Sequence, residues 1–151
     1  MEELIEKYDN FNKAYLALGR AIEIDKKLKT IDLHGIDGDE LFSAGIIQHF
    51  ELAYETAWKF LKVYLLTSNQ KEVNSPKDTF KACLTHNVLP VTIVNNLILL
   101  ADARNETTHI YSKILAREIC NDIIKHYEVL GKVLALTKKH AQDFEINLTQ
   151  R

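Results

Sequence analysis

The sequence predicts an all-α fold, an antiparallel up-and-down four-helix bundle with an additional short helix. Three observations predict it. Apolar residues recur at alternating steps of four and three along three long segments, the spacing of a single helix face. The two prolines, Pro76 and Pro90, stand at points where new helices open. No segment keeps the two-residue alternation of a strand. Three long amphipathic helices plus a shorter interrupted one close most simply as a bundle. The 151 residues suffice for one domain with a real core, so residues 1–151 are read as a single unit.

The first helix carries Leu4, Tyr8, Phe11, Tyr15, Leu18 and Ile22 as one stripe. Thr30 to Glu40, with Gly35 and Gly38, reads as a loop. Its Asp37, Asp39 and Glu40 lack the spacing of a calcium loop. A second helix is expected from near Asp39 to about Thr67, with Ile46, Phe50, Ala53, Ala57, Leu61 and Tyr64 inward and Tyr54, Trp58 and Leu65 flanking. Glu55 and Lys59 stand one turn apart in the favourable order. Ser75-Pro76 supplies a cap and a first-turn proline for a short helix ending near His86-Asn87. Pro90 starts another, with Ile93, Val94, Leu97, Leu100 and Ala101 inward. The last helix should span roughly Ser112 to Lys139, seamed by Cys120, Ile123, Tyr127, Leu130 and Leu134.

Bulk chemistry narrows the function. The formal net charge is -2, so any nucleic-acid binding must come from a local basic patch rather than from the chain as a whole. Cys83 and Cys120 have no C-x-x-C spacing, which argues against a zinc site or a disulfide framework; both read as buried free thiols. The histidines are scattered without the i, i+4 pairing of a metal site, so neither a metal nor another cofactor is expected. The first residues are acidic and amphipathic with no apolar signal core, and no apolar run is long enough to span a bilayer. A cytoplasmic location, away from membranes, is the expectation.

One stretch departs from the apolar rhythm: Asp102-Ala103-Arg104-Asn105-Glu106-Thr107-Thr108-His109-Ile110-Tyr111. On a straight helix Arg104 and Tyr111 share a face, whereas His109 points away from Arg104 by roughly 140°. Convergence of Arg104 and His109 therefore needs a bend, a helix end or a second subunit. Asn105, Thr107 and Thr108 favour such an end. Arginine beside histidine suits phosphodiester chemistry: the guanidinium grips phosphate oxygens and the imidazole exchanges a proton near neutrality. Lys113 and Arg117 follow His109 at one and two turns and would extend a positive strip along an RNA backbone. Taken by spacing alone, an Arg and a His five apart are more often a cap or a surface ion pair.

The segment from Arg104 to Tyr111 resembles the R-x4-H-x-Y motif of the HEPN superfamily (higher eukaryotes and prokaryotes nucleotide-binding). The run Ile47-Gln48-His49-Phe50-Glu51-Leu52-Ala53-Tyr54-Glu55-Thr56-Ala57-Trp58-Lys59 is similar to the second helix of its nucleotidyltransferase substrate-binding branch, as is Ser75-Pro76 opening the third. The resemblance spans roughly Leu4 to Leu134. It implies a homodimer with a neighbouring minimal nucleotidyltransferase partner, the toxin and antitoxin of a two-gene module. For members with an intact motif it implies a metal-independent ribonuclease. On that carry-over Arg104 and His109 are the catalytic pair, Asn105 and Asp102 support them, and Tyr111 is the tyrosine that the antitoxin modifies with AMP. The competing expectation is a non-catalytic subunit that presents substrate or nucleotide to the nucleotidyltransferase.

Overall fold

The computed structural model describes residues 2–28, 38–107 and 122–139. They form α1 (Glu2–Leu28), α2 (Gly38–Asn69), α3 (Pro76–Thr85), α4 (Val91–Thr107) and α5 (122–139), with no strand among the described residues. The all-α bundle with an extra short helix is therefore the observed architecture. α1 opens on Glu2 and Glu3 and closes on Lys26 and Lys27, charges that complement the helix dipole at both ends. It buries Leu4, Phe11, Leu18 and Ile22 along the length of α2.

α2 buries a wider face than one stripe. Besides Ile46, Phe50, Ala53, Ala57, Leu61 and Tyr64, it encloses Phe60, Tyr54 and Leu65. α1, α3 and α4 all pack against it, so more than one strip of its surface is covered. Phe60, absent from the expected stripe, lies fully buried against Phe11 and, edge-on, against Tyr8 at 5.6 Å between ring centroids. The helix also runs two residues past its expected end. Ser68 Oγ donates to the Tyr64 carbonyl at 2.6 Å, so the polar side chain satisfies itself within the last turn. Gln70 at φ 53° then turns the chain away.

The boundaries of α3 follow its sequence closely. Ser75 caps it, accepting from the Asp78 amide at 3.2 Å, and Pro76 fills the first position. At the other end Asn87 takes φ 57°, Val88 N–H donates to Cys83 O at 2.8 Å, and Asn87 N–H donates to Leu84 O at 3.2 Å. That is a Schellman cap with asparagine in place of glycine, sealed by buried Val88. Cys83 is buried and free, as expected, and burial pushes its thiol up to about 12; Cys120 lies outside the described residues. α4 buries Ile93, Val94, Leu97, Leu100 and Ala101, the predicted set.

α5 returns antiparallel to α1. Tyr15 and Tyr127 stack at 4.4 Å with rings 6° from parallel. A Cβ on Gly19 would meet the Tyr127 hydroxyl, and one on Gly131 the Tyr15 hydroxyl. The order is thus 15 then 19 on one helix against 131 then 127 on the other. Ile123, Leu130, Val133 and Leu134 complete the core from this side, and His126 stacks on Phe50 at 5.5 Å. Among the described residues no helix is long and apolar enough to cross a membrane.

Candidate functional site

The motif begins on the last two turns of α4, where α2 and α3 both pack. α4 stays helical through Thr107, so the helix does not end at Asn105. The step from Thr107 to His109, where an end or bend was expected, lies outside the described residues. His109, Tyr111, Lys113 and Arg117 lie outside the described residues. The described half of the site is Asp102, Arg104 and Asn105.

Asp102 is held by a residue that the sequence pattern did not nominate. Its Oδ1 accepts from Lys77 Nζ at 2.7 Å, which ties α4 to the first turn of α3. Arg104, near the last turn of α4, is half-buried and its Nε is shut off from solvent. Asn105 beside it is exposed. Beneath them on α2 lies Tyr54, buried and packed edge-on against Phe80 of α3. Its hydroxyl is pushed up to about 12, first by burial, then by the Glu55 carboxylate; Arg104 pulls the other way and Asp102 adds to the rise. The buried phenol thus senses the charges of both Arg104 and Asp102. Next to it the Trp58 indole donates to Glu55 Oε2 at 3.0 Å, and Lys59 approaches the same carboxylate oxygen at 3.8 Å.

Lys77 and Tyr54 are the members missed by pattern. A lysine in a helix's first turn opposes the dipole, and that misfit was the available signal for Lys77. Tyr54 gave none beyond standing on the flank of a core stripe. Chemically, the cluster brings a half-buried guanidinium near a carboxylate that a lysine already pairs, and a guanidinium is suited to hold the oxygens of an anion. Among the described residues no group of three or more His, Cys, Asp or Glu side chains could hold a metal ion.

The family model described as "Nucleotidyltransferase substrate binding protein like" matches residues 6–139. No curated protein matches the sequence. Among solved structures, a Thermus thermophilus protein is 24% identical, with 78% of this chain and 96% of that chain covered and a TM-score of 0.62. A structure of a tri-AMPylated Shewanella oneidensis HEPN toxin in complex with MNT antitoxin is similar at 13% identity, covering 90% of this chain and 96% of that one, with a TM-score of 0.70. A mutant of the toxin–antitoxin pair MntA–HpeT is similar at 12% identity, covering 92% and 99%, with a TM-score of 0.73. At these identities the solved structures establish a shared fold.

Proposed function

The chain belongs to the nucleotidyltransferase substrate binding protein like family, with a HEPN-type fold, and from that premise we propose that it is a cytoplasmic HEPN toxin. In this reading it is a metal-independent ribonuclease silenced by a cognate minimal nucleotidyltransferase. The observation that carries the reading is Arg104: a half-buried guanidinium near the end of α4, standing at the first position of the sequence Arg-Asn-Glu-Thr-Thr-His-Ile-Tyr. Arg104 would grip the scissile phosphate bidentately and stabilise the charge that develops on it. His109 would take the proton from the attacking ribose 2′-hydroxyl or hand one to the leaving oxygen. Asp102 and Asn105 would support the arginine, and Lys113 and Arg117 would hold the flanking backbone.

Regulation enters at Tyr111. Its hydroxyl would attack the α-phosphorus of ATP on the antitoxin, pyrophosphate would leave, and the tyrosine would carry AMP. The Shewanella neighbour is itself described as a tri-AMPylated toxin bound to its antitoxin, which supports this reading. The active species is taken to be a homodimer, in keeping with the exposed apolar residues Val91 and Leu99 on α4. A second reading, a non-catalytic subunit that presents substrate to the nucleotidyltransferase, draws on the family's own description.

The deciding experiment incubates purified protein with RNA in EDTA. Wild type should cleave. His109→Ala should lose roughly a hundredfold or more of the rate, and Arg104→Lys should fail because a lysine lacks the bidentate fork. RNA binding without cleavage by all three proteins would favour the presenting subunit.

A further inference from the structure

We propose that Lys77 is a positioning residue for Arg104: by gripping Asp102 it fastens the last turns of α4 to the first turn of α3 and so fixes where the guanidinium is presented.

Three observations converge on this. The Lys77–Asp102 contact of 2.7 Å is in the short range of a charge-assisted hydrogen bond and joins two helices. The Glu23–Lys26 and Glu55–Lys59 pairs, by contrast, are 3.7 and 3.8 Å long and lie each within one helix. Second, Lys77 sits where its charge is locally unfavourable, in the first turn of α3, where Asp78 already supplies the acid that the dipole prefers. A residue that costs its own helix something is explained by a partner elsewhere, and Asp102 is that partner. Third, Asp102 and Arg104 stand two residues apart on α4 and both act on the buried Tyr54 hydroxyl. The Lys77–Asp102 pair therefore anchors α4 to α3 within one turn of Arg104, on a helix that α2 also packs against. Lys77 and Asp102 remain 46% and 52% exposed, so the pair contributes little to global stability and its effect is local.

The catalytic consequence rests on the reading of Arg104 as the phosphate-gripping residue; the positional claim does not. The test separates them. In 15N-labelled protein the Arg104 Nε–Hε signal is assigned by its disappearance in Arg104→Lys. Its hydrogen exchange and the RNA-cleavage kinetics are then followed in wild type, Lys77→Met, Asp102→Asn and the charge-swapped double variant K77D/D102K. Both single variants should exchange about two- to fivefold faster, the range that an exposed ion pair can supply, with the melting temperature nearly unchanged. They should also lower kcat more than they raise KM. The swapped pair suits both helix dipoles, and it should restore the wild-type exchange rate. Unchanged exchange in Lys77→Met, or a swap that restores nothing, overturns the proposal. A wild type that cleaves no RNA counts against the ribonuclease alone, because the exchange measurement still decides the role of Lys77.

Discussion

Tyr15 and Tyr127 stack face to face at 4.4 Å, and each places its hydroxyl over a glycine of the opposite helix, Gly131 and Gly19 respectively. The reciprocity lets α1 and α5 approach closely along their crossing. A Cβ built on Gly131 would stand 2.6 Å from the Tyr15 hydroxyl oxygen and 3.1 Å from its Cζ. In an open helix Gly→Ala gains about 1 kcal/mol of propensity. Here a forced ring displacement of the overpacking kind should cost about 1–3 kcal/mol. Gly131→Ala is therefore expected to be destabilising in wild type and close to neutral in a Tyr15→Phe background, where the closest atom is gone. Urea denaturation of the four members of this cycle gives the coupling; equal effects in both backgrounds would remove the tyrosine from the explanation.

Cys83 is fully buried and its thiol is pushed from 9.0 to about 12. Burial therefore leaves much less thiolate at pH 8 than an exposed cysteine would have. In a Cys120→Ser variant, native protein should resist a thiol reagent at pH 8 and react at once in denaturant. Labelling of the folded protein should then proceed only as fast as the chain opens. Prompt reaction under native conditions would show that the α3 environment is open.

His126 should carry a pH dependence whose sign follows from its burial. Burial against Phe50 lowers its pKa below the ordinary 6.5, and Lys125 adds to this while Asp122 opposes it. The unfolded chain thus binds the proton more readily than the folded one. The stabilising contribution of neutral His126 is fully present above pH 6.5 and is lost as pH falls below it toward the folded pKa. Urea midpoints measured at pH 7.5 and 5.5 should differ less in His126→Phe than in wild type. The same pH dependence in both would assign it to other groups.

How much of this was legible in the sequence divides along physical lines. Helix existence, the Ser75 cap, the Asn87 terminator and the inward face of α4 all follow from local rules, in which residues within a turn or two of each other decide the outcome. Phe60, three residues after Ala57 and four before Tyr64, keeps the spacing of the α2 stripe and packs on Phe11 and Tyr8 of α1, so its burial follows the same local rule. Lys77 could not be paired with Asp102 by pattern, since contacts between residues 25 positions apart leave no periodic trace. The motif residues Arg104, Asn105 and Asp102 were picked out by chemistry and resemblance, and α4 places them together near its end. His109, Tyr111, Lys113 and Arg117 lie outside the described residues and rest on the sequence.

Lys113 and Arg117 are expected to hold RNA without doing chemistry. Replacing both by Ala should weaken binding and reduce the salt dependence of log K by about 1.4 if each neutralises one phosphate of a single strand. The turnover rate at saturating RNA should stay near wild type. Fluorescence anisotropy across a salt series measures the slope, and an unaltered slope would return both residues to the class of solvated surface charges.

Tyr111 is expected to be the control point, two residues after His109 in sequence. AMP on its hydroxyl adds a nucleotide and a negative charge within the motif itself. The adduct's phosphate carries the same chemistry as the backbone that Arg104 is proposed to grip, so it would compete for the guanidinium as an internal anion. Inhibition then requires no unfolding, and the modified toxin should keep the melting profile of the free one. Supplying the cognate nucleotidyltransferase with ATP should add one or more AMP units by intact mass and abolish cleavage in step. Tyr111→Phe lacks the nucleophilic hydroxyl but keeps the ring. It should retain ribonuclease activity, acquire no AMP and escape silencing by the antitoxin's catalysis. An AMP adduct that persists in Tyr111→Phe would place the modified residue elsewhere. Full silencing of Tyr111→Phe with no adduct would make the antitoxin a blocker by binding rather than by chemistry.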